Sequence, residues 1–373
     1  MHKIGDSFDI VLVGGGVVGL SLAWELAQQG AKVCLIDSHE LGHEASWAAA
    51  GMLPPGPPED KWPSCSAFDQ LAGLSEKLHR QWHTKLAEVT EIDNGYETRG
   101  AVYLGDPSLQ EKCRIWDQWG VPFHRLPPPA LTDIEPRIEH LGDGVFLPNE
   151  AQLHSRHHLQ ALESACLNEG VTLKPHCQVT GFDKSGNRIS AALTNTSPIC
   201  ADNFCLTAGC WTEELGPSLG LNLPLKPVRG QILQLNGHAG ILHRIVNKGP
   251  RYLMPRSDDC ILVGSTQEEV GFNQQTTLEA RKELLDFAHE LCPTLRDFQV
   301  MNHWAGLRPA TPDELPYLGQ LLDWENAWIA TGHFRAGIQL STGTARVMRD
   351  LILGKSPQVD VTALGIERVQ GQT

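Results

Sequence analysis

The chain has 373 residues, 41% of them hydrophobic, and carries a formal net charge of −14. That length supports a large core and two domains, while an acidic balance without any Lys/Arg cluster argues against nucleic acid and anionic membrane surfaces as partners. Ten scattered cysteines with no C-x-x-C pair read as reduced thiols rather than as a disulfide framework.

The chain opens on its most informative stretch. A β-branched apolar run predicts a strand over 10–13, and it ends at Gly14-Gly15-Gly16-Val17-Val18-Gly19, which satisfies G-x-G-x-x-G. Apolar residues then repeat every three to four positions through Val18, Leu22 and Leu26, a helix that Gln29-Gly30 stops. A second strand over 33–36 leads into Asp37. Strand, tight turn, helix, strand and acid make a nucleotide-binding βαβ unit. Gly14 permits the turn, Gly16 lets backbone approach a pyrophosphate, and Gly19 lets the helix pack close to the strands. The helix N-terminus offers N–H groups and partial positive charge to phosphates. Asp37 is placed to accept from a ribose diol and disfavours a 2′-phosphate, which leaves NAD and FAD open. Asp9, Ser21 and Glu25 and the missing cleavage site argue against a secretory or spanning segment here. No other stretch approaches membrane-spanning length, so a soluble, cytoplasmic protein is expected.

Small residues dominate 38–52, suiting a backbone that runs close to a flat ligand or a short helix packed tightly on the sheet. A Pro-rich surface loop is predicted over 53–63, a helix over 66–89, a strand over 98–104 and a helix over 109–119. Three successive prolines make 126–136 a turn-rich connection before a strand at 144–147. A helix at 154–169 and strands at 171–174 and 178–182 follow. The apolar run 199–206 ends at Thr207-Ala208-Gly209-Cys210-Trp211, a late parallel strand whose end reaches the ligand. Strands at 225–235, 251–255 and 261–265, the last two joined through Ser257-Asp258-Asp259, alternate polar and apolar residues. With a helix at 278–289 they read as a second domain built on a one-sided antiparallel sheet. Glycine and charge return at 304–318 and 331–338, then a helix at 337–353 closes at Gly354-Lys355 before a polar tail at 356–373. His154, His157 and His158 share a predicted helical face but lack an acid partner, and no metal site is expected.

Four separated stretches, IVLVGGGVVGLSLAWELAQQG, ASWAAAGMLPP, GLRPATPDELPYLG and TGHFRAGI, together with RYLMPR, resemble the D-amino-acid oxidase family of flavoproteins, in its glycine oxidase branch that serves thiamine synthesis. The resemblance covers nearly the whole chain and favours FAD over NAD. It implies an α/β fold: a discontinuous FAD-binding Rossmann-like domain of glutathione-reductase type (1–90, 148–218 and 305–373) and a smaller antiparallel α+β substrate domain (91–147 and 219–304). Gly14, Gly16, Val17, Val18, Gly19 and Asp37 would hold the ADP half. Ser46, Ala49, Ala50, Gly51 and Met52 would lie along the ribityl chain and ring, with Val179 at the adenine and Ala208 and Gly209 beside the cofactor. Gly332, His333, Phe334, Arg335, Ala336, Gly337 and Ile338 would face the ring, where a helix N-terminus favours negative charge. Arg335-Ala336-Gly337-Ile338 departs from the family's R-N-G-I.

Arg308 and Tyr252 match the family's carboxylate-gripping pair, and Arg335 a second arginine near the site. An arginine can meet a carboxylate with two parallel bonds. The plainer readings are a salt bridge from Arg308 to Asp313 or Glu314, an ordinary strand aromatic for Tyr252, and a loop brace for Arg335. With no cysteine in 293–373, the FAD is expected to be non-covalent. The implied reaction is oxidation of glycine, sarcosine, D-alanine and similar small amines by O2, giving glyoxylate or another 2-oxo acid, ammonia and hydrogen peroxide. A D-amino-acid dehydrogenase feeding a quinone or carrier is the runner-up, followed by a non-catalytic flavin-binding module and, distantly, an NAD dehydrogenase. A homo-oligomer is among the assemblies this resemblance allows.

Overall fold

The computed structural model describes residues 7–139, 142–237 and 240–370. Among them the first sheet has eight strands. Phe8–Val13 lies at its middle, parallel to Val33–Ile36 on one side and to Ile199–Leu206 on the other. Thr172–Lys174 extends the parallel set beyond Val33–Ile36, and Ala327–Thr331 pairs in parallel with Ile199–Leu206. Antiparallel Val179–Ser185, Arg188–Thr194 and Tyr317–Gln320 complete it. Both central strands are apolar because both faces are covered. Helix Val17–Ala27 is buried along its whole length. It packs against Gly337–Ile352 and Ser155–Asn168, and Trp24 meets Trp82 of Ala67–Thr90 edge-on at 4.7 Å. Glu25, buried on the first helix, is bound by Arg346 and Arg349 of the last long helix.

The second sheet, also eight-stranded among the described residues, runs from Val300–Ala310 through Lys226–Asn236, Cys260–Gly264, Arg251–Pro255, Ile245–Lys248, Ala101–Leu104 and Gly144–Leu147 to His124–Leu126. Its pairs are antiparallel except Ile245–Lys248 with Ala101–Leu104, which are parallel. The predicted one-sided burial does not hold. Helix Leu278–Leu291 packs Leu284 and Phe287 on one face, against Leu233 and Val263. Ile232, Tyr252 and Met254 cluster with Ala50 on the other. The polar residues that suggested a solvated face, Arg229 and Gln231, are buried and bonded to Glu268.

Four other expectations change. The strand at 98–104 is two strands, Glu97–Thr98 and Ala101–Leu104, in different sheets. Gly100 turns between them at φ +74°, where a Cβ would also press on the Phe146 ring. The Pro-rich segment is no surface loop throughout: Pro55, Gly56 and Pro57 are buried, and the Gly56 N–H donates to Glu76 of the long helix. The connection at 126–136 contains a helix, Pro128–Ile134, since proline preset at the first helical positions starts a helix as readily as a turn. The tail folds back, burying Val359, Val361, Leu364 and Ile366, and Arg368 pairs with Asp313; its residues 371–373 lie outside the described ones.

Candidate active site

A long cavity runs between the two sheets, with about 1700 Å³ of empty space including its mouth.

Its first end is built by the glycine turn. Gly14 sits at φ +117°, and a Cβ there would lie 2.6 Å from the Ala208 Cα, so only glycine lets the two strand ends meet. The N-terminus of Val17–Ala27 faces the cavity, with the Val17 N–H donating to Ser46 Oγ at 3.0 Å. Asp37 stands one residue past its strand. Its carboxylate accepts from the Gly15 N–H at 2.7 Å and the His39 N–H at 2.9 Å, which leaves further lone pairs for a ribose. Gly14, Gly16, Val17, Val18, Asp37, Ser46, Ala49, Ala50, Gly51, Met52, Val179, Ala208 and Gly209 all line the cavity. So do His333, Phe334, Arg335, Gly337 and Ile338. Gly19, Gly332 and Ala336 do not: Gly19 packs the helix on the Gly14 carbonyl, Gly332 fits against Thr311, and Ala336 packs on the core at the start of Gly337–Ile352.

The second end is polar and buried. Arg308 donates through Nη1 to the Thr266 carbonyl at 3.1 Å and through Nη2 to Ser265 Oγ at 2.8 Å. Among the described residues it has no ion-pair partner; Asp313 is taken by Arg368. Burial, then the nearby Arg335, lowers its pKa to about 10, which keeps it cationic at neutral pH. Tyr252 is 4% exposed, and burial pushes its phenol up, so it stays a neutral donor. Gly264 leaves room for the Tyr252 ring and Gly230 for the Arg308 guanidinium; a Cβ on either would collide with them. Arg335 is exposed at the rim and donates to the Pro250 carbonyl at 3.3 Å. His333 is buried, bonded to Thr344 Oγ1, and held neutral by burial, which lowers its pKa to about 4.

Sequence reasoning missed Ser265 and Gly230 as lining residues. The Gly264-Ser265-Thr266 step at a strand end was the available signal for the first. The three histidines do not share a face. His154 caps its helix and stacks on His157 at 3.8 Å, whereas His158 is buried and bonded to Asn94.

The residues present fit a flavin dinucleotide. A glycine turn at a helix N-terminus that lines the cavity suits its pyrophosphate, Asp37 suits a ribose, and Arg308, without an ion-pair partner among the described residues, lies at the far end for a small anion. The FAD dependent oxidoreductase model, DAO, matches residues 9–351. A glycine oxidase of Pseudomonas putida is 33% identical over 95% of this chain and 97% of that protein. A bifunctional protein ThiO/ThiG of Nostoc sp. is 35% identical over 92% of this chain and 52% of its own length. The crystal structure of glycine oxidase from Geobacillus kaustophilus superposes with a TM-score of 0.92 at 27% identity, covering 97% of this chain and 99% of that one. With its glycine turn, mixed sheets and cavity in that arrangement, the chain belongs to the DAO family of FAD-dependent oxidoreductases.

Proposed function

We propose that the protein oxidises glycine and similar small amino acids, with O2 as electron acceptor, and that it serves thiamine synthesis. The observation that carries the substrate class is Arg308: a partly buried guanidinium with one carbonyl and one hydroxyl as partners and no carboxylate among the described residues. A substrate carboxylate completes it, and two charge-assisted bonds fix the α-carbon relative to the cavity wall. Tyr252 supplies one further donor. The positive field of Arg308 and Arg335 disfavours the ammonium form of the substrate amine, the form that cannot be oxidised. Met52, Ile232 and Tyr252 crowd this end and favour small side chains. Non-covalently held FAD supplies the two-electron acceptor for the substrate C–H bond. The imine released hydrolyses to a 2-oxo acid and ammonia.

On this reading residues 1–90, 148–218 and 305–373 carry the cofactor, and 91–147 and 219–304 the substrate. The experiment is a visible spectrum of the purified holoenzyme, before and after anaerobic glycine. Bleaching, then recolouring with peroxide on admitting air, supports the reading. Recolouring only with a quinone overturns the oxygen assignment in favour of a dehydrogenase. A yellow protein unaffected by glycine overturns the substrate.

A further inference from the structure

The Arg308 clamp does not rest on Arg308 alone. Its two anchors are consecutive residues, Ser265 and Thr266, at the start of the loop between Cys260–Gly264 and Leu278–Leu291. What fixes that loop is a buried network behind the clamp. Thr266 Oγ1 donates to Glu268 Oε1 at 2.6 Å and accepts from the Gln231 N–H at 2.9 Å. Glu268 also accepts from Gln231 Nε2 at 2.8 Å and from Arg229 Nη2 at 2.5 Å. Arg229, 4% exposed, reaches further along the loop to the Gln275 carbonyl at 2.7 Å, and Gln231 Oε1 accepts from the Thr277 N–H at 2.9 Å. The loop tip rests on the opposite wall: Phe272 packs on Trp211, and Gln274 Nε2 donates to Glu44 at 2.7 Å.

The Thr266 N–H donates to the Gln231 carbonyl at 3.3 Å, and Glu268 and Arg229 exchange backbone bonds at 2.9 Å; the Glu268 carboxylate adds a hold on the Thr266 side chain, beside the carbonyl that anchors Arg308. The charges also count: Glu268 is bonded to Arg229, and Arg308 has no carboxylate partner among the described residues, so its positive charge stays available. We propose that Glu268, which lies outside the cavity lining, is a positioning residue that acts through Thr266 to aim Arg308 at the substrate carboxylate. The proposal rests on the carboxylate-clamp reading above.

The test is glycolate binding to the FAD-loaded enzyme, followed by the perturbation of its visible spectrum. Glu268→Ala and Thr266→Val each raise the glycolate Kd about tenfold, the loss of one hydrogen bond in a charged network. Thr266→Ser, which keeps the hydroxyl, stays within about twofold of the parent, a difference below 0.5 kcal/mol. Because the two residues act in series, the double variant is no weaker than the weaker single one. Retained flavin shows that each variant is folded; should Glu268→Ala not hold FAD, the Thr266→Val and Thr266→Ser pair decides. Parent-like glycolate binding in Glu268→Ala and Thr266→Val, or full additivity in the double variant, overturns the inference. Arg308→Ala run alongside separates the two levels: if it too binds glycolate like the parent, the clamp reading itself is wrong.

Discussion

Replacing Arg308 with lysine keeps the charge and removes the fork. The guanidinium spends one nitrogen on Ser265 Oγ and one on the Thr266 carbonyl, and still has donors to spare for a carboxylate. A lysine ammonium has three donors on one atom, so it cannot hold both anchors and present two parallel bonds. Each hydrogen bond to a charged group contributes about 1.5–3 kcal/mol, so loss of one or two lowers kcat/KM for glycine by roughly 10- to 10⁴-fold. Steady-state oxygen consumption across glycine concentrations measures it. The same structure predicts that stability does not fall with activity. Arg308 is a partly buried cation with no carboxylate partner among the described residues, so its replacement by methionine leaves the unfolding midpoint unchanged or higher. A fall in kcat/KM of less than about threefold, under 0.7 kcal/mol, would refute the clamp. Loss of flavin along with activity would also refute the separation of its role from cofactor binding.

Asp37→Ala removes the acceptor of the Gly15 N–H and of the ribose; FAD Kd, measured by fluorescence on reconstitution, rises on the order of tenfold. Glu25→Gln weakens the link from the first helix to Arg346 and Arg349, and chemical denaturation shows a loss of about 2–4 kcal/mol with the flavin spectrum unchanged. Glu150 is 1% exposed, and burial raises its carboxyl to about 7 even though Tyr103 donates to it at 2.5 Å. The folded protein therefore holds that proton more tightly than the unfolded chain, so this stabilisation is full below the unfolded pKa of about 4.5 and is lost as pH rises through about 7. Glu150→Gln accordingly melts close to the parent at about pH 4 and above it at about pH 8; equal shifts at both would exclude the titration.

The cofactor end was legible in the sequence because its determinants are local. Gly14, Gly16, Gly19 and Asp37 lie within two dozen residues, and their spacing alone implies turn, helix and acid. The proposed substrate end could be read only through resemblance, since Tyr252 and Arg308 are brought together by strand pairing across Lys226–Asn236 and Cys260–Gly264. Ser265 was invisible because its importance comes from what Arg308 does with it. Alternation along 226–236 misled for a related reason: burial of Arg229 and Gln231 depends on a carboxylate nearly forty residues away, which periodicity cannot register. Gly100 and the prolines at 127–129 show the limits of local punctuation, since the same residues end one element and begin another.

The first sheet draws its middle strands from opposite ends of the chain. Ile199–Leu206 sits between Phe8–Val13 and Ala327–Thr331, and Gly337–Ile352 covers the first helix. A chain still being synthesised, or one cut before residue 327, has the glycine turn but neither the far strand nor the helix that covers Val17–Ala27. A ligand at the glycine turn therefore stabilises only molecules in which 327–352 has docked beside 8–27.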